Sequence, residues 1–491
     1  MPTAFPMSRP RSDASRLKWL GLLVGLPLIG AATVAGTYRG SEVIVAAGWL
    51  ALSTVGILFL WPVIGVAVMA AGFLLAAYPT VFQSLGVLTI NNLMGLALLG
   101  LLAARILETR DFSFFRIRQV QILILIGVLL VIGTFVAEWQ FPLLETTVGK
   151  TRVLDRTERY GHDFRNRLVF LIFFCTFVRT RREVLLMFGV FILTLYVAVP
   201  SALYNWMTGQ LLRGFRAASS VTAGSNPNKL GMICLMEMAL FWHWGRLRPG
   251  ALRQFVAMAA MAGSLLVLMA TGSRSAFLGL GVLGLMLQSG PRRFRVPAPQ
   301  LGMMFAAGVV AVIALVPPEA WERMVRFNPE RGEVGASSSR MREETVERAW
   351  EMGKDYPLLG VGLGNFREVS RQVYFDDYYR PPHNSYLWAL AEGGVLVLAA
   401  YGALFWFTWK DLQQIRRLAY RDPEMEVWAS AIRVVFALFF FFSAFADLWL
   451  NPITYVLLGL VITTRRYLET LPEVVPTGAV TLAPRRLGRA A

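Results

Sequence analysis

The sequence predicts an all-α, polytopic membrane protein with about 12–14 transmembrane helices and one large helical loop on the outer face. Three observations carry this. The composition is 56% hydrophobic and only 16% charged, with a mean hydropathy of +0.53, which is too apolar for an ordinary soluble domain. Apolar runs of helix-crossing length recur along most of the chain. Lys and Arg gather in alternate connections between those runs, as the positive-inside rule requires. A net charge of +17 would suggest nucleic acid on a soluble protein, but these cations sit between apolar runs, so membrane lipids and not nucleic acid are the expected partners. Cys175 and Cys234 lie inside apolar runs, far from any CxxC or Cys/His spacing, and are expected to be buried, inert thiols.

In chain order the runs cover 17–37, 42–60, 62–78, 84–107, 119–138, 166–178, 184–204, 228–245, 252–271, 274–289, 301–317, 385–409, 427–447 and 450–466. The first follows Arg9, Arg11, Arg16 and Lys18, is long for a signal core and is closely followed by others, so it is expected to be an uncleaved first helix. The short run at 166–178 and the pair meeting at Trp61-Pro62 lower the expected number toward twelve. Basic clusters at 9–18, 105–118, 179–182, 246–253, 292–295, 416–421 and 465–466 place both termini in the cytoplasm. The same pattern places 139–165, 205–227, the 271–274 turn and 318–384 outside. The expected organisation is transmembrane helices over 1–317, a large outer loop over 318–384, further transmembrane helices over 385–468 and a cytoplasmic tail over 469–491. No strands are required.

The 318–384 segment is too long for a simple connection. From Ser339 a helix is expected, with Met341, Thr345, Ala349, Met352 and Tyr356 recurring on one face and Pro357 ending it. A glycine run, Leu359-Gly360-Val361-Gly362-Leu363-Gly364, follows. It imitates a nucleotide loop, but no strand precedes it and no Lys-Ser/Thr follows, so a tight, closely packed turn is the expected role.

Candidate chemistry gathers where this segment ends. His383 stands between Pro381-Pro382 and a new apolar run that Asn384 or Ser385 can cap, so its imidazole is expected beside the positive end of a helix dipole, which disfavours imidazolium. A neutral imidazole next to backbone donors that attract phosphate suits a general base beside a phosphate leaving group. A capping-region histidine without chemistry is the alternative. Arg213, Arg216 and Arg274 lie at outer ends of runs, where few cations are expected. Guanidinium forks match diphosphate oxygens; snorkelling to headgroups, or pairing with Glu237 or Asp447, is the other account. Asp376-Asp377 could hold a divalent ion or act as an alternative base, yet adjacent helical residues face apart, and His162, His243 and His383 are scattered, so no metal site is expected.

Asn226-Pro227-Asn228, Gly272-Ser273-Arg274-Ser275, the stretch from Pro357 to Phe366, and His383-Asn384-Ser385-Tyr386-Leu387 leading to Glu392-Gly393-Gly394 together resemble the O-antigen ligase family, whose signature domain is shared with O-antigen polymerases and some protein O-oligosaccharyltransferases. The resemblance implies a C-type membrane glycosyltransferase architecture in the bacterial inner membrane, with the 318–384 loop and the active site on the periplasmic face. It carries over His383 as catalytic base and Arg274 as a donor-diphosphate ligand, with Arg216 matching the family's other arginine better than Arg213. Asn384 and Asn228 support them. The implied reaction moves O-antigen glycan from an undecaprenyl diphosphate donor to a sugar hydroxyl of lipid A-core oligosaccharide, inverting the anomeric centre, with no metal or other cofactor. A polymerase or protein O-glycosylating enzyme would use the same donor. A lipid or small-molecule transporter is the non-enzyme alternative, but transport calls for polar groups at the midplane, whereas His383 and the arginines gather at one face.

Overall fold

The computed structural model describes residues 58, 60–75, 90–141, 144–146, 149–151, 153–212, 216–220, 226–248, 250–295, 336–375 and 380–472, with isolated positions between 297 and 310. The runs expected at 17–37, 42–60 and 301–317 lie wholly or mostly outside these residues, as do Arg213 and Asp376-Asp377.

The chain is all-α in plan. Its helices are α1 (Pro62–Leu74), α2 (Ile90–Thr109), α3 (Arg118–Gln140), α4 (Val153–Phe177), α5 (Arg181–Tyr196), α6 (Ala198–Met207), α7 (Pro227–Trp244), α8 (Ala251–Ala270), α9 (Arg274–Gln288), α10 (Ala336–Asp355), α11 (Phe366–Val373), α12 (Ser385–Leu418), α13 (Pro423–Phe442) and α14 (Pro452–Glu469). Among the described residues five helical stretches are long and apolar enough to cross a membrane: α3, α5 with α6, α8, α12 with the turn after it, and α13. Three helices start the same way. Asn226, Asp422 and Asn451 each precede a proline, and each side chain accepts a backbone N–H of the first turn while the proline occupies a position that has no donor to lose. An Asx-Pro pair ahead of an apolar run is therefore the local signal for α7, α13 and α14.

The structure departs from the sequence expectation in four places. The short run at 166–178 is the second half of α4, which begins at Val153, so the charged stretch assigned to the 139–165 loop is largely helix. The run at 184–204 is broken at Val197 into α5 and α6. A two-stranded hairpin joins α3 to α4, with β1 (Leu144–Thr146) antiparallel to β2 (Gly149–Thr151), where no strand was expected. The run at 385–409 continues as helix to Leu418, but its backbone is non-helical at Gly394.

That last break explains the glycine run. Gly394, at φ +69°, leaves the carbonyls of Ala391 and Glu392 open, and the segment between α10 and α11 supplies donors: Val361 N–H to Ala391 O at 2.9 Å and Gly362 N–H to Glu392 O at 3.1 Å. In return, Val395 N–H donates to Pro357 O at 2.7 Å. The approach is so close that a Cβ on Gly360 (φ +66°) would lie 2.5 Å from Ala391 O, and one on Gly394 would lie 2.3 Å from Leu358 O. Glycine here serves backbone-to-backbone docking. Through it α10 and α11 are fastened to the first turns of α12.

At the centre, α7 is buried on every side and packs against α8, α9, α13 and α5. Its Glu237 accepts a hydrogen bond from Ser264 Oγ of α8 at 3.0 Å, so this carboxyl serves the α7–α8 contact. α12 packs against α3, α10 and α14.

Candidate active site

Four helix starts, those of α7, α9, α12 and α14, and the turn between α13 and α14 come together at one end of the bundle. His383 is set there by its neighbours. It adopts φ +51°, an uncommon value for a non-glycine residue, between the two prolines and the start of α12. Asn384 caps that helix, its Oδ1 accepting from Tyr386 N at 3.0 Å and Leu387 N at 3.1 Å. Ser385 then fastens the start of α12 to the α13–α14 turn: its Oγ donates to Ala446 O at 2.8 Å and accepts from Leu448 N at 2.9 Å. Asp447 is carried by the same turn, and its Oδ2 stands 2.8 Å from His383 Nδ1.

This contact decides what the imidazole can do. With Nδ1 on the carboxylate, Nε2 is the nitrogen left to exchange a proton with a substrate. Burial alone would push the Asp447 carboxyl up. The hydrogen bond and charge of His383, with the charges of Lys229 and Arg367, nevertheless hold it below the usual carboxylate range. Both side chains keep a small opening to the surface, 20% for His383 and 13% for Asp447, so the pair is recessed yet reachable.

The arginine side of the site is built on α7 and α9. Arg216 is 4% exposed; its Nε donates to Thr271 O at 2.7 Å and its Nη2 to Asn228 Oδ1 at 3.3 Å. Asn228 Oδ1 also accepts from Ser273 Oγ at 2.9 Å, and Ser273 caps α9, whose first residue is Arg274. Asn228 thus joins Arg216 to the turn that presents Arg274. The next residue, Lys229, lies close enough to Asp447 for its charge to act on the carboxylate.

Of the candidates named from sequence, Arg216, Arg274, Asn228, His383 and Asn384 all lie at this end. His162 lies beside Arg165 on α4, and His243 is buried on Ala239 O at 2.7 Å in the last turn of α7, at the opposite end of that helix from Asn228. Cys175 and Cys234 are both buried. Among the described residues no group of three or more His, Cys, Asp or Glu could hold a metal ion. The sequence reading missed Asp447 as the histidine's partner. The available signal was a lone carboxylate between two apolar runs at the face expected to hold His383.

No curated protein matches the chain. Residues 256–402, from within α8 past the break in α12, match the family model described as O-antigen ligase, a stretch that includes the elements presenting Arg274 and His383.

Proposed function

We propose that the chain is a glycosyltransferase that moves O-antigen glycan from undecaprenyl diphosphate to a sugar hydroxyl of lipid A-core oligosaccharide at the periplasmic face of the bacterial inner membrane, with both termini cytoplasmic. The observation that carries this is the 2.8 Å contact between His383 Nδ1 and Asp447 at the end of the bundle where Asn228 joins Arg216 to the Arg274 turn. His383 Nε2 takes the proton of the acceptor hydroxyl. The hydroxyl oxygen attacks the anomeric carbon, and the bond from that carbon to the diphosphate oxygen breaks. The glycan leaves joined to the acceptor with its anomeric centre inverted. The arginines meet the charge released on the polyprenyl diphosphate, and Asp447 orients the imidazole and balances the imidazolium that forms.

Arg216 supports this role by its bonding. Its bonds to Thr271 O and Asn228 Oδ1 orient the guanidinium between the starts of α7 and α9. The test is to supply the purified protein with lipid-linked glycan in the presence or absence of rough lipopolysaccharide. Glycosylated lipopolysaccharide is expected only when that acceptor is present. Lengthened lipid-linked glycan in its absence would identify a polymerase instead, and no turnover of the donor with either would remove the transferase reading.

A further inference from the structure

We infer that Arg167 of α4 is a positioning residue for the candidate site: by holding the carbonyl of Leu450 it steadies the α13–α14 turn that sets Asp447 on His383. The inference deepens the proposed function and rests on its reading of the His383–Asp447 pair as part of the chemistry. Arg167 lies outside residues 256–402, which match the family model, and stands 283 positions before the residue it bonds. Its contribution is visible only in the packed bundle.

The turn is fastened on two sides. On the α12 side, Ser385 N–H donates to Ser443 O at 2.7 Å, and Ser385 Oγ bonds Ala446 O and Leu448 N. A turn held by one residue can still rock about it. Beyond Leu448 the chain has to enter α14, and Leu450 makes that change at φ +59°, a left-handed conformation that leucine rarely adopts. Arg167 Nη1 donates to Leu450 O at this point. Nη2 of the same guanidinium donates to Asp163 Oδ2 at 2.7 Å, one helical turn earlier on α4, so a carboxylate aims the fork from behind. The Arg167 side chain is only 17% exposed, and Leu448 and Trp449 are buried, which limits competition from water for the bond to Leu450. Asp447 needs this second anchor. Its Oδ2 meets His383 Nδ1, but its Oδ1 is buried with no hydrogen-bond partner among the described residues, so the aim of the carboxylate depends on the backbone that carries it.

Arg167→Met, measured on the full chain in detergent, should lower kcat for glycan transfer by about tenfold or more, the worth of one charge-assisted hydrogen bond, with KM for the lipid-linked donor unchanged. Arg167→Lys, which keeps a cation and a donor, should recover most of that loss. The decisive comparison is a double-mutant cycle. If Arg167 acts through the carboxylate, its removal should cost about twofold or less once Asp447→Asn has already weakened the pair. Equal losses in both backgrounds overturn the proposal, because a residue that only fastens α4 would weaken either protein alike. Where Arg167→Met does not fold, Arg167→Gln takes its place in the same cycle. Amide exchange supplies a readout that needs no turnover: the 443–451 segment should exchange faster in Arg167→Met, through Leu448 N–H on Ser385 Oγ and Asn451 N–H on Leu448 O. Unchanged exchange there also overturns the proposal. Failure of the site reading looks different: full transfer by Asp447→Asn would remove the pair from the chemistry, while the exchange result would still decide whether Arg167 holds the turn.

Discussion

The two ends of the helix bundle bring different partners to their charged side chains. At the end away from His383, cations meet carboxylates: Arg181 bonds Asp422 at 2.7 Å and Glu424 at 2.6 Å, Arg179 bonds Asp111 at 3.1 Å, and Arg465 bonds Asp411. These pairs tie α5 to α13, α12 to α14, and the connection between α4 and α5 to the turn after α2. At the site end, Arg216 donates to a backbone carbonyl and an amide oxygen, Asp447 is engaged by His383, and the ion pair of Arg167 with Asp163 stays within α4. Paired charge fastens helices. Bonds to neutral oxygens orient a guanidinium, and a histidine on a carboxylate is the pairing found at the candidate site.

The contrast can be broken at several strengths. The proposed topology is tested first, because its outcome is all or none: a cysteine replacing Ser339 should react with an impermeant thiol reagent from the periplasm, and one replacing Arg421 should react only after lysis. Equal labelling of both from one side would remove the assigned sidedness. His383→Ala should lower glycan transfer by about 10²–10⁴-fold in a protein that still inserts. Asp447→Asn, which keeps the shape but not the charge behind the ring, should fall near the lower part of that range. Transfer at the wild-type rate by both would show that the pair is only a fastening of α12 to the α13–α14 turn.

Smaller effects sharpen the same comparison. Arg274→Lys keeps the charge but loses the guanidinium fork, so transfer should drop by about tenfold or more, with weaker donor binding. Unchanged donor affinity would reduce Arg274 to an interfacial anchor. Arg181→Met at the other end should leave transfer unchanged and lower stability by about 1 kcal/mol or less, because the guanidinium is 39% exposed and water screens the pair. A large loss of transfer in that variant, with the protein still folded, would mean that the paired end is coupled to the chemistry.

Sequence reading singled out the candidate site through particular residues. Arginines at the wrong ends of apolar runs, and a histidine between two prolines and a helix cap, carry a physical oddity that one sequence can display. It did not reveal that the 153–165 charge run is helical. A helix of alternating charge has no apolar stripe to mark it, and its order comes from the apolar half that follows. The glycine run was legible as a close-packed turn but not as the donor set for a broken helix, because Gly394 and Gly360 acquire their meaning only from each other's backbone.

Length and hydropathy of runs and the Asx-Pro starts of α7, α13 and α14 were determined by the chain itself, since each depends on neighbours a few residues apart. Tertiary structure alone decided that Asp447, 64 positions after His383, would hold its imidazole and that Asn228 would join Arg216 to Ser273. The reason is physical. A hydrogen bond a few ångströms long between side chains on different helices depends on how those helices pack, and packing is set by many weak contacts spread over the whole bundle, none of which has a local signature.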